Sequence, residues 1–263
     1  MPLSLPVLTF HDIDQSRSVI SFPPEIFDRG MAKLQASGYR TLSLVEISDL
    51  LRKNEPFPAR SIAITFDDGY SSVYEEAFPV LERYGMSATV FLTVGNPNAR
   101  NPNGNLPSLE GRSMLSWRSI REMLKHGIDF GAHTLTHPDL SHLPLERTKQ
   151  EIIISKDIIE NALGASVSSF AYPYGRYNKS IREIVKQHFT CACSDKLGLI
   201  TKGSDLYTLE RIDAYYLRTH KLFDLTRTRL LPWYVRARSV PRYARRIFKQ
   251  TTVGIKPDTL GQE

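Results

Sequence analysis

Ile62-Ala63-Ile64-Thr65-Phe66-Asp67-Asp68-Gly69-Tyr70 decides how the rest of the chain is read. Its β-branched run is a buried strand, and it stops at two adjacent carboxylates and a glycine, where the chain must turn. Both acids therefore stand at a strand's C-terminal end, which in barrels and open α/β sheets faces the crevice where ligands bind. Neighbouring residues on an extended strand face opposite ways. Asp67 and Asp68 can serve different roles at one site only if the turn swings one of them round, and Gly69 permits that turn. Taken alone, an Asp-Asp-Gly trio is first of all a solvated turn that closes a strand.

A second stretch, Gly131-Ala132-His133-Thr134-Leu135-Thr136-His137-Pro138, changes that reading. Two histidines at i and i+4 are expected to project from one side of a helical turn, near enough to share an ion. On their own they equally suit a packed surface turn. With Asp68 they form a set of one carboxylate and two imidazoles, which leaves a coordination position open for water, as at a catalytic zinc-type site. Zinc is the expected ion for that set, and the affinity order leaves cobalt and nickel open.

With these residues in view, Thr65-Phe66-Asp67-Asp68-Gly69 and His133-Thr134-Leu135-Thr136-His137 resemble the first two motifs of the polysaccharide deacetylases, the NodB-homology domain of the family-four carbohydrate esterases. Phe170-Ala171-Tyr172-Pro173-Tyr174-Gly175 is similar to the groove motif of the exopolysaccharide de-N-acetylase branch, and Met114-Leu115-Ser116-Trp117 and Gly127 fit the same branch. The resemblance runs from about Pro6 to about Leu217. It implies a distorted, incomplete (β/α) barrel. It also implies a metal held by Asp68, His133 and His137, and Asp67 as general base. A backbone N–H near Tyr174 would complete an oxyanion pocket, and Tyr172, Pro173 and Tyr174 would form the sugar-binding groove.

The chain departs from that family pattern twice. The third motif usually carries an arginine three residues before its tyrosine, where this chain has Ala171; Arg211 is either its replacement from elsewhere in the fold or a surface ion pair. The late Leu-x-His that supplies the general acid is also missing from its place, so the proton donor is open among His11, His142 and His220. His11 ends the first strand, Pro6 to His11, and reaches either the site's rim or only the strand's end.

Elsewhere strands alternate with helices, which implies a parallel sheet. Helices are expected from Pro24 toward Gly38, over Val45–Leu51, from a Ser71 or Ser72 cap to Tyr84, from Trp117 to Lys125, from Pro144 to Gly164, and from an Asn178 cap onward. Gly95–Gly111, rich in Asn, Pro and Gly, is a long loop placed to wall the groove. Trp117 is either a sugar-stacking platform or a buried helix-start residue.

The 263 residues, 41% hydrophobic and 24% charged, suit one α/β domain over residues 1–217 with an extension over 218–263. Cys191 and Cys193 share a strand face and are read as reduced, because bridging them would strain a small ring. The extension interleaves Arg227, Arg229, Arg236, Arg238, Arg242, Arg245, Arg246 and Lys249 with Leu230, Leu231, Trp233, Tyr234, Tyr243 and Phe248, and supplies much of the net charge of +6. That mixture suits peripheral contact with an anionic membrane surface or a solvated helix packed on the domain. No nucleic-acid motif accompanies it, and none is expected as a partner. The absence of a long apolar run or a signal-like N-terminus leads to a cytoplasmic expectation.

The expected activity is de-N-acetylation of N-acetylhexosamine units in a polysaccharide or its precursor. The alternatives are hydrolysis of another amide, such as a cyclic imide or ureide, and a saccharide-binding protein without efficient turnover.

Overall fold

Runs of β-branched and aromatic residues become seven parallel strands: β1 (Val7–Phe10), β2 (Ser61–Phe66), β3 (Thr89–Leu92), β4 (Asp129–Ala132), β5 (Ser169–Ala171), β6 (Cys191–Leu197) and β7 (Leu209–Asp213). The computed structural model describes residues 4–95 and 104–240. Each strand pairs with the next in chain order, and β7 pairs back with β1, so the sheet closes on itself. A short strand, Arg40–Thr41, joins the beginning of β2. The barrel is one strand short of the eightfold form. It is distorted where β4 meets β5 at Ala132–Phe170 alone, and where the β6–β7 register shifts between Cys193 and Leu197.

Helices cross between the strands: α1 (Pro24–Ala36) and α2 (Leu44–Arg52) after β1, α3 (Phe78–Arg83) after β2, α4 (Trp117–Lys125) after β3, α5 (Leu145–Leu163) after β4 and α6 (Lys179–His188) after β5. Their caps follow the side-chain chemistry. Ser43 and Glu46 form a reciprocal capping box on α2, Ser116 accepts from Ser119 N, and Asn178 accepts from Ile181 N. Of the two expected caps before α3, Ser71 holds the position, its carbonyl accepting from Tyr74 N and Glu75 N, whereas the Ser72 hydroxyl donates to Asp12 and accepts from Ile13 N, and a π-helical turn, Val73–Ala77, leads into α3.

Strand alternation sorts the side chains into two cores. Leu8, Phe10, Ile62, Ile64, Phe66, Val90, Leu92 and Phe170 face the helices. Val7, Ala63, Phe91, Ala171, Cys193 and Leu209 fill the barrel. Gly131 belongs to the inner set and keeps it packable, because a Cβ there would lie 2.5 Å from the Phe91 ring and 2.7 Å from Ser169 Oγ. Both cysteines are buried and unbridged.

After β7 the chain packs back on the barrel rather than leaving it. Phe223, Leu231 and Val235 are buried in the outer core, and Lys33 Nζ on α1 lies 2.5 Å from Asp224 Oδ2. Residues 231–240 are helical, with Trp233 and Val240 exposed. Among the described residues no helix is long and apolar enough to cross a membrane. Residues 96–103 of the expected Gly95–Gly111 loop, and the basic positions Arg242, Arg245, Arg246 and Lys249, lie outside the described residues.

Candidate active site

In five of the seven strands the inward side continues past the packed core toward the C-terminal end of the barrel. Counting by twos from the core residues gives Thr9 and His11, Thr65 and Asp67, Gly131 and His133, Cys193 and Asp195, Arg211 and Asp213. All but Thr65, Gly131 and Cys193 line one cavity of about 320 Å³, which is completed by Ile20, Asp68, Tyr70, Glu110, His137, Tyr172, Tyr174 and Gly175.

Asp68 is out of phase with this set. It enters because its own backbone is left-handed (φ 74°), followed by Gly69 at φ 88°. The strain thus falls on the aspartate as well as on the glycine that was expected to carry it. The His133–His137 segment also differs from expectation. It is a bend rather than a helical turn, with Thr134 at φ 69° and His137 at φ 57°. The bend lets His133, at the end of β4, and His137 face each other with their Nε2 atoms 3.2 Å apart. The Thr134 hydroxyl accepts from His137 N at 3.0 Å and helps hold this shape.

Three donor atoms converge in the cavity. Asp68 Oδ1 lies 3.5 Å from His133 Nε2 and 3.3 Å from His137 Nε2. His133 Nδ1 is 2.7 Å from the Ala171 carbonyl, which can only accept, so Nδ1 carries the proton and Nε2 presents a lone pair. Burial pushes the His133 pKa down to about 4 even though the Asp67 and Asp68 carboxylates pull it up, which keeps the ring neutral. Asp68 Oδ1 is buried and has no hydrogen-bond partner among the described residues. Buried lone pairs facing one another are unfavourable unless a cation or a proton lies between them. The donor set Asp68, His133 and His137 therefore fits a divalent metal.

The opposite wall is already compensated. Arg211 donates NH1 to Asp67 Oδ1 at 2.7 Å and NH2 to Oδ2 at 2.8 Å, and its Nε donates to Ser194 O at 3.0 Å. Burial alone would raise the Asp67 pKa, but the guanidinium outweighs it and holds the carboxyl well below the usual range. Arg211 is likewise pushed up by Asp67 against the effect of burial. Of the two readings left open for Arg211, its burial removes the surface ion pair.

His11 Nε2 stands 3.9 Å from Asp67 Oδ2 at the cavity's edge. His142 pairs with Asp139 and His220 with Glu25, and neither lines the cavity. Tyr174, 57% exposed, turns left-handed at φ 57° and sets its ring edge-on to His137, 4.8 Å between centroids. Tyr172 is only 1% exposed and donates its hydroxyl to Tyr207 O, so it belongs to the cavity floor rather than to an open stacking wall. Pro173 is buried beside it. Trp117 lies outside the cavity, half-buried against the outer core at the start of α4. Asp195, Asp213, Glu110 and Thr9 also line the cavity and are not among the expected site residues; the two-residue period through Cys191, Cys193 and Asp195 is the signal that points to the first of them.

The polysaccharide deacetylase family model matches residues 54–190. YxkH of Bacillus subtilis (strain 168), named for the same family, is 30% identical over 212 residues, covering 80% of this chain and 71% of its own length. The poly-beta-1,6-N-acetyl-D-glucosamine N-deacetylase of Staphylococcus aureus (strain MRSA252) is 28% identical over 198 residues, which is 71% of this chain and 65% of that protein. The structure of Streptococcus pyogenes deacetylase PplD in complex with acetate matches with a TM-score of 0.71 at 26% identity, covering 81% of this chain and 93% of that one.

Proposed function

Because the chain belongs to the polysaccharide deacetylase family, we propose that it is a metal-dependent hydrolase removing N-acetyl groups from N-acetylhexosamine units of a polysaccharide or its precursor. The observation that carries this reading is the meeting, in one cavity, of three converging ligand atoms and an ionised Asp67 locked by Arg211.

Asp68, His133 and His137 would hold the divalent ion, zinc by the character of the donors. When bound, that ion acidifies water and polarises the acetamide carbonyl. The chain's own groups manage the protons. Asp67 is kept ionised by Arg211 and accepts the proton of the attacking water. The same clamp makes Asp67 a weak base, so its contribution lies in fixed position more than in basicity. His11, beside Asp67 at the open edge, donates to the departing amine. The backbone N–H of Tyr174 faces the developing oxyanion, and the exposed Tyr174 ring borders the sugar.

The test is acetate release from N-acetylglucosamine oligomers by zinc-loaded protein. Release that stops with a chelator and returns with zinc supports the reading. No acetate from any oligomer length, despite stoichiometric zinc, would contradict it.

A further inference from the structure

The buried stripe of α5 carries Thr148, Ile152, Ser155 and Ile159, and among them a charged residue, Glu151, which is fully buried. Nothing in the helix calls for a carboxylate there. Its partners lie in the histidine bend. Glu151 Oε2 accepts from Leu135 N and from Thr136 N, both at 2.9 Å, and Oε1 accepts from the Thr136 hydroxyl at 2.8 Å. Arg147, one turn earlier on α5 and half-exposed, donates NH2 to Oε1 at 2.7 Å. Four donors on two oxygens satisfy the carboxylate, which makes its burial tolerable.

The two amides it holds lie midway between His133 and His137, in a bend whose Thr134 is β-branched and left-handed. Such a residue seldom keeps that conformation unless its surroundings impose it. We infer that Glu151 is a positioning residue for the metal site: acting through the backbone of Leu135 and Thr136, it fixes the bend that turns His133 and His137 toward one ion. It touches neither the ion nor the substrate. The inference rests on the assignment of Asp68, His133 and His137 as metal ligands.

The test measures zinc affinity of the full chain by competition with a chromophoric chelator, together with hydrogen exchange of the Leu135 and Thr136 amides in metal-free protein. Glu151→Asp keeps the charge but withdraws the carboxylate by about one C–C bond, roughly 1.5 Å. It is expected to weaken zinc binding by about 10–100-fold, the usual effect of losing an outer-shell support. Both amides should exchange faster. Glu151→Gln keeps an oxygen for both N–H groups and should recover most of the loss. Ile159→Ala, on the same buried stripe, lowers stability through a cavity and should leave zinc affinity at the wild-type level. Wild-type affinity and slow amides in Glu151→Asp, or an equal zinc loss in Ile159→Ala, would overturn the inference. Wild-type protein that binds no zinc would instead overturn the ligand assignment, and the metal-free exchange would still read whether Glu151 holds the bend.

Discussion

The two walls of the cavity are built from similar groups and have opposite balances. On one wall, Asp67 and Arg211 are both buried and paired, with two hydrogen bonds at 2.7 and 2.8 Å, and Ser194 O takes the remaining Nε–H of Arg211. On the other, the ligand atoms of Asp68, His133 and His137 converge, and Asp68 Oδ1 is left without a partner among the described residues. The first wall is complete as folded. The second leaves room for a cation or a proton between its groups. The difference separates a fixed electrostatic frame from a ligand set, although both begin in adjacent residues of one strand.

The largest effect expected from breaking this comparison is in turnover. Asp67→Asn should retain zinc while losing acetate release by about 10²–10⁴-fold, the usual share of a general base; retained turnover would remove Asp67 from that role. Arg211→Met leaves the Asp67 charge buried and alone, and should cost about 3–5 kcal/mol in urea unfolding. A loss below about 1 kcal/mol would show that the pair is not buried in solution.

On the other wall, the effect is pH-dependent. The His133 pKa is depressed from 6.5 to about 4 in the folded protein, so the unfolded chain binds the extra proton first as pH falls. The contribution is fully present above pH 6.5 and is lost as pH drops toward 4. It amounts to at most about 3 kcal/mol in metal-free protein. A His133→Asn variant should flatten that part of the stability profile, and an unchanged slope would contradict the assignment. The smallest effect has the opposite sign to that of Arg211→Met. Asp68→Asn replaces a facing lone pair with an N–H donor and should stabilise the metal-free protein by about 1 kcal/mol while weakening zinc binding.

Much of the site was readable because strand periodicity is rigid. The run Ile62–Phe66 places Asp67 inward once the barrel interior is known, and the same count reaches His133 and Arg211. What is hard to read is backbone handedness. Asp and His visit positive φ more often than most non-glycine residues, but too seldom to fix it from sequence, and a β-branched threonine hardly at all, so the positive φ at Asp68, Thr134 and His137 is not visible there and the histidine segment reads as a helical turn. Long-range closure was also hidden. Arg211 meets Asp67 only because β7 and β2 both flank β1. Trp117 was ambiguous because a helix-start tryptophan is apolar on either reading, and packing on the outer core decides its place. Glu151 went unnoticed because one charge in an apolar stripe is lost in the average.

The account depends most on the three lone pairs forming one metal site, and zinc titration of the wild-type chain beside Asp67→Asn and His133→Ala tests it most directly. The prediction is one zinc per chain in wild type, one in Asp67→Asn, and none held at comparable affinity in His133→Ala. Wild-type protein that takes up no zinc, cobalt or nickel, or a His133→Ala variant that binds zinc as tightly as wild type, would contradict it.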